Sequence, residues 1–270
     1  MRRRSQRAWN PSGFIAGSAA AHLAAGAALL ARPAIWPWAL GLLVADHVAL
    51  TAAGLWPKSH LLGPNLTRLP AAAAARGGVA ITIDDGPDPQ VTPRVLTILR
   101  ERGACATFFC IGERLERHRD LAREIHAQGH AIENHSYRHQ HSFSLLGPRA
   151  IAADIGRAQD CVAALTGTPP RWFRAPAGLR NVFLEPVLAR LQLRLASWTR
   201  RGFDTVNADA NTVLRRLTAE LRGGDILLLH DGNAARRRGG GPVILEVLPR
   251  LLDTVGERRL QPMTLRAALE

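Results

Sequence analysis

The hydrophobic pattern divides the chain in two. From residue 13 to residue 31, and again from Ala34 to Pro57, apolar residues follow one another with little polar interruption, and Arg32-Pro33 separates the runs. Each run is close to the roughly 20 residues a helix needs to cross a bilayer, so the pattern predicts a hydrophobic helical hairpin. From Gly78 onward, short apolar runs alternate with amphipathic stretches. Strands are expected at 79–83, 106–110, 131–134, 172–173, 193–198 and 226–230, and helices near 91–102, 113–128, 148–166, 181–191, 208–222 and 242–255. That alternation marks an α/β layer or barrel. Residues 58–77 have no clear period and read as a linker. It would join a membrane-anchoring region, residues 1–57, to a catalytic domain, residues 78–270.

Charge refines the hairpin. Trp36, Trp38 and Trp56 lie near the ends of the second run, where interfacial aromatics sit. A basic start before an apolar run also describes a cleaved signal peptide, but two runs in succession favour a hairpin. Asp46 and His47 interrupt the second run, and a mid-bilayer Asp costs about 2.5 to 3.5 kcal/mol on insertion scales. One span or an in-plane helix, and after it a soluble apolar hairpin, are therefore the alternatives. Arg2, Arg3, Arg4 and Arg7 precede the first run, while Lys58, Arg68 and Arg76 follow the second. With two spans both flanks face the cytoplasm, and the expected location is a bacterial-type inner membrane. With one span the domain lies on the far side.

The formal net charge of +13 suits nucleic acid, anionic lipid or an acidic substrate. With no zinc knuckle, no base-reading basic helix and a single tyrosine, Tyr137, nucleic acid is the weakest of the three. Cys105, Cys110 and Cys161 are odd in number and lack ligand spacing, which argues against a disulfide framework.

The chemistry starts at ITIDDGPDP, residues 81–89, where a strand pattern climbs into Asp84 and Asp85 and is stopped by Gly86-Pro87. Strand ends are where α/β barrels keep their sites. Neighbouring strand residues point to opposite sides, so the two carboxylates are expected to do different jobs, one binding a metal and one handling a proton. In HSYRH, residues 135–139, His135 and His139 are spaced i, i+4, and one helical turn would aim both at a single ion. Two imidazoles and one carboxylate, Asp85, leave positions open for water and substrate. His126, His130 and His141 read as structural or solvent-facing. FRAPAG, residues 173–178, offers Arg174 as a partner for Asp84 and a turn whose N–H groups can face an oxyanion. ILLLHDG, residues 226–232, delivers His230 from a buried strand, a place that suits a general acid. Arg236, Arg237 and Arg238 follow it in a loop that is either solvated or a clamp for an anionic substrate.

TIDDGP, HSYRH, FRAPAG and LLLHDG stand in the order and approximate spacing of the NodB-type polysaccharide deacetylases, carbohydrate esterase family 4, and the chain resembles that family from about Gly78 to its end. The resemblance implies an irregular (β/α)-type barrel, usually of seven strands, and metal-dependent deacetylation of sugars. By motif, Asp84 resembles the catalytic base, and Asp85, His135 and His139 the ligands of a divalent metal, usually zinc. His230 resembles the catalytic acid and Arg174 the arginine flanking the base. Leu228 resembles the residue lining the acetyl-methyl pocket, with Trp198 and Asp204 also expected on the substrate side. Ala177 stands where a tyrosine is usual and keeps only the backbone donor. Arg201 stands where many members carry the aspartate that orients the catalytic histidine, which leaves Asp204 as the alternative partner of His230. The implied substrate is an N-acetylated glycan or a lipid-linked amino sugar. A deformylase-type amidase and a catalytically silent carbohydrate-binding homologue are the other readings.

Overall fold

The computed structural model describes residues 7–269; Arg2, Arg3 and Arg4, which entered the topology argument, lie outside the described residues. Eight strands form one parallel sheet: β1 (Gly78–Asp84), β2 (Thr107–Cys110), β3 (Ala131–Asn134), β4 (Trp172–Phe173), β5 (Arg194–Leu195), β6 (Arg200–Arg201), β7 (Ile226–His230) and β8 (Gln261–Pro262). The strand order is β5-β4-β3-β2-β1-β7-β6, with β8 pairing the start of β1. The two outer strands of this path, β5 and β6, are consecutive in sequence and joined by only residues 196–199. So short a connection spans less than about 20 Å. The sheet therefore curls until its two edges approach, giving the irregular barrel.

Alternation along the strands sorts side chains into two apolar layers. Val79, Ile81, Ile83, Leu227 and Leu229 face outward to the helices, while Ala80, Phe109, Trp172, Trp198, Ile226 and Leu228 fill the barrel interior. β1 and β7 run in register, Thr82 beside Leu228 and Asp84 beside His230. An apolar interior thus ends, one step up each strand, in a carboxylate and an imidazole.

The helices are α1 (Gly13–Ala31), α2 (Trp36–Leu55), α3 (Ala71–Ala75), α4 (Thr92–Glu101), α5 (Gly112–Arg117), α6 (Arg119–Ala127), α7 (Pro148–Thr166), α8 (Leu184–Arg190), α9 (Ala210–Thr218) and α10 (Ile244–Glu257). Local chemistry sets several ends. Pro148 opens α7 and Gly167, at φ 67°, closes it in the left-handed conformation glycine adopts most easily. The Asp209 carboxylate caps α9 by accepting the N–H groups of Asn211 and Thr212.

α1 and α2 form the hairpin, and both are long and apolar enough to cross a membrane. Asp46, the interruption in the second run, receives a 2.7 Å hydrogen bond from Ser18 Oγ and lies 3.8 Å from His22 Nδ1, so the polar groups of the two helices meet each other. Both ends of the hairpin rest on the barrel. Before α1, the Arg7 guanidinium contacts Glu185 and the Leu193 carbonyl, and its backbone N–H donates to Gln192 Oε1 at 2.8 Å. After α2, Ser197 Oγ donates to the Pro57 carbonyl at 2.7 Å and Lys58 Nζ to the Thr199 carbonyl at 2.6 Å.

Several expectations need correction. The helix expected over 113–128 breaks at His118, and the one over 208–222 stops at Thr218. The strand expected over 193–198 is pared to two residues, and β6 and β8 were not foreseen. Residues 58–77 are not a free tether: Leu62, Leu69 and Ala73 are buried, and Leu66 pairs with Ala196.

Candidate active site

Asp84, at the end of β1, is buried beside Arg174, which follows β4. The Arg174 Nη1 donates to Asp84 Oδ1 at 2.6 Å and to Thr82 Oγ1 at 2.8 Å, and Nη2 donates to the Ser197 carbonyl at 2.8 Å. Its guanidinium plane lies 4.0 Å over the Phe109 ring. A buried cation so fully bonded can only hold its carboxylate in one place.

Asp85 departs from the strand argument. Its φ of 74° turns the backbone left-handed, so its side chain enters the same cavity as Asp84 instead of the opposite face. Its Oδ1 lies 3.2 Å from His135 Nε2 and 3.1 Å from His139 Nε2. The two histidines do share a target, but not on a helix: Ser136 (φ 64°) and His139 (φ 51°) are left-handed, and the segment is a loop that folds one ring toward the other, centroids 4.7 Å apart.

The donor set fits a divalent metal. The three ligand atoms lie within 4.8 Å of one another, and Asp85 Oδ1 is buried without a hydrogen bond of its own. His135 Nδ1 faces the Arg174 carbonyl at 2.8 Å, a contact that places a proton there and leaves the Nε2 lone pair for an ion. Burial opposes the ionisation of Asp85, but contact with His135 and the surrounding imidazoles, the raised His230 among them, hold its carboxyl well below the usual range. Burial, reinforced by His135, lowers His139 to about 4, so its imidazole is neutral as a ligand requires.

Across the cavity stands His230. Its Nδ1 is 2.8 Å from Asp204 Oδ1, and its backbone N–H donates to Asp204 Oδ2, also at 2.8 Å. Burial pulls its pKa down, yet the hydrogen bond and charge of Asp204, with Asp84 and Asp85, outweigh it and raise the imidazole to about 9. Asp204 is therefore the support of His230. It is wholly buried behind that ring, which corrects its placement on the substrate side.

These groups share one cavity of about 320 Å³, lined also by Ala177, Trp198, Leu228 and Arg201. His141, expected to be structural or solvent-facing, is exposed but sits on its rim. The arginines of the 233–241 loop do not line it: Arg237 pairs with Glu246, and Arg236 and Arg238 are exposed. Sequence reasoning missed Asn233, whose Nδ2 donates to Asp85 Oδ2 at 2.8 Å, and Arg114, which donates to the Asp85 carbonyl at 2.9 Å and to Asn233 Oδ1 at 3.3 Å. The signal for Asn233 was its place three residues after His230; nothing local announced Arg114. Gly232 fits this corner because a Cβ there would collide with Arg114 and the Asp85 carbonyl.

The cavity also borders the hairpin. Gly178, at φ 76°, brings the cavity wall so close that a Cβ would stand 2.6 Å from Trp198 and 2.8 Å from Pro57, at the exit of α2.

The irregular parallel barrel, with a carboxylate–imidazole cavity at its strand ends, has the fold of the family 4 carbohydrate esterases. The profile described as polysaccharide deacetylase matches residues 72–196. The chain is 35% identical over 158 residues to a chitooligosaccharide deacetylase of Azorhizobium caulinodans, covering 58% of this chain and 75% of the relative. It is also 35% identical to a peptidoglycan-N-acetylglucosamine deacetylase of Bacillus cereus, covering 64% and 81%. Among solved structures, a family 4 carbohydrate esterase from Streptomyces lividans in complex with acetate matches with a TM-score of 0.62 and 31% identity over 69% of this chain and 91% of that one. A family 4 pseudoenzyme from Bacillus anthracis shares the fold, with a TM-score of 0.68 and 21% identity, covering 77% and 69%. The chain belongs to the polysaccharide deacetylase family, carbohydrate esterase family 4.

Proposed function

We propose that this protein is a metal-dependent hydrolase that removes acetyl groups from N-acetylated sugars of a polysaccharide or a lipid-linked glycan at a membrane surface. The observation that carries the reading is the meeting, in one cavity, of an Asp85–His135–His139 donor set with two independently supported groups, Asp84 held by Arg174 and His230 held by Asp204. A pseudoenzyme with the same fold shows that the barrel alone is no argument for turnover. The relatives named for deacetylation of chitooligosaccharides and of peptidoglycan N-acetylglucosamine support the bond and the sugar class.

Asp85, His135 and His139 would hold a divalent ion, zinc by resemblance, and such an ion supplies Lewis-acid polarisation and a more acidic water. Asp84 takes the proton of the attacking water while Arg174 keeps the carboxylate aimed. As the new C–O bond forms, the Ala177 N–H faces the developing oxyanion. His230 then gives its proton to the departing nitrogen, the C–N bond breaks, and acetate and the free amine leave. Leu228 and Trp198 offer an apolar wall for the acetyl methyl.

The hairpin supports the membrane setting. Leu23, Leu30, Trp36, Trp38, Val44 and Val48 are exposed, a larger apolar surface than water-facing helices carry. Because α2 leaves the hairpin beside Gly178 and Trp198, a substrate held at a bilayer surface has a short way to the cavity. The test is acetyl release from a panel of N-acetylated sugars, with and without a lipid diphosphate, by wild type and Asp85→Ala. Release that stops with a chelator, returns with zinc and is absent in the variant is the expected result. Formyl release without acetyl release would move the assignment to a deformylase.

A further inference from the structure

The cavity wall contains a cation, Arg201, whose guanidinium has no ion pair or hydrogen bond among the described residues. Alternation along β6 sends its two arginines to opposite faces. Arg200 turns outward, where its Nε donates to Asp225 at 2.6 Å. Arg201, the register partner of Leu228, turns into the cavity. Its guanidinium lies 5.4 Å over the Trp198 ring and 4.9 Å over the Phe203 ring. Those rings hold the group in place but give it no acceptor. Its Nε is buried and makes no hydrogen bond.

The acids nearby are committed elsewhere. Asp84 is bound to Arg174, Asp204 to His230, and Asp85 to Asn233 and the two imidazoles. A half-buried guanidinium without a counter-charge is unfavourable, and an arginine positioned by two aromatic planes is pre-organised for a two-oxygen anion. Its position beside Leu228 puts the charge next to the place where the acyl group is expected to lie.

We propose that Arg201 forms an anion subsite in the catalytic cavity, and that the preferred substrate is an N-acylated sugar bearing a phosphate or carboxylate close to the reacting amide. This rests on the deacetylase reading of the same cavity. Arg201 binds the anion through parallel N–H···O bonds, and the sugar binds with its charge toward β6 and its acyl group toward Leu228.

The test uses the full zinc-loaded chain and three sugars: N-acetylglucosamine 1-phosphate, N-acetylmuramic acid as the carboxylate, and the neutral methyl glycoside of N-acetylglucosamine. Binding is read by calorimetry and turnover by acetyl release, for wild type, Arg201→Gln and Arg201→Lys. An anionic sugar should bind wild type more tightly than the neutral one, and this ratio should fall about tenfold to a hundredfold in Arg201→Gln. Arg201→Lys should keep part of it. In wild type the ratio should shrink as salt is raised, a check that needs no variant. Preference for the phosphate or for the carboxylate names the anion. A wild-type ratio near one, or a ratio unchanged in Arg201→Gln, overturns the subsite. Anion-selective binding without acetyl release would keep the subsite and remove the deacetylase reading, whereas acetyl release without anion selectivity would do the reverse.

Discussion

Asp204 grips His230 twice, through the imidazole Nδ1 and through the backbone N–H, both at 2.8 Å. A residue held at two points cannot turn, and the proton on its ring is kept by the same carboxylate. With His230 raised to about 9, the acid form is lost as pH climbs through that value. Wild-type kcat should therefore fall on an alkaline limb near pH 9. In Asp204→Asn the limb should move toward the ordinary histidine value, about 6.5. Superimposable pH–rate profiles would show that Asp204 does not set it.

Arg174 and Asp84 are a buried ion pair, and removing one partner leaves the other charged and unpaired. Arg174→Met should lose about 3 to 5 kcal/mol of stability. Adding Asp84→Leu should recover part of that loss in urea titrations, although the double variant lacks the proposed base. A double variant less stable than Arg174→Met would mean that the three other acceptors of Arg174, Thr82 Oγ1 and the carbonyls of Ala196 and Ser197, and not the charge of Asp84, carry the cost.

Zinc should stabilise the folded protein whether or not it turns over. At a hundred times its Kd the ion adds about 2.7 kcal/mol, visible as a higher Tm in wild type and absent in Asp85→Ala and His139→Ala. An equal rise in all three proteins would place binding elsewhere, the other described donor group being His22, Asp46 and His47 in the hairpin.

His130 lies far from the chemistry, with its ring near Phe108 and its Nδ1 accepting the Ala106 N–H at 3.3 Å. Burial lowers it to about 4. An unfolded histidine titrates near 6.5, so between these values the unfolded chain binds the extra proton and stability drains away as pH falls. The full loss is at most about 3 kcal/mol. His130→Leu should flatten the acid slope between pH 6.5 and 4, and an unaltered slope would assign acid sensitivity to other groups.

The residues that meet in the cavity were legible in the sequence as a candidate site because each motif ends a strand, and a strand end is written in apolar alternation followed by a breaker. What surrounds them was harder to read. β6 is two arginines long and has no apolar period, so the inward turn of Arg201 emerged only from its pairing with β7. The spacing of His135 and His139 suggested a helix, yet two left-handed residues bring the rings together in a loop. The same backbone turn at Asp85 defeated the alternation rule. In residues 58–77 the buried Leu62, Leu69 and Ala73 follow no regular period, because the segment is laid against a surface it does not share with one helix or strand.

The hairpin is clamped to the barrel at both roots, by Arg7 ahead of α1 and by Pro57 and Lys58 behind α2. A domain so clamped has no leash. It does not sweep a volume around a flexible stalk, and its local substrate concentration is not tuned by stalk length. The mouth of the cavity instead keeps one altitude and one heading relative to α1 and α2. On the membrane reading proposed above, a glycan chain at another height would be out of reach, and selection by position would precede any selection by chemistry.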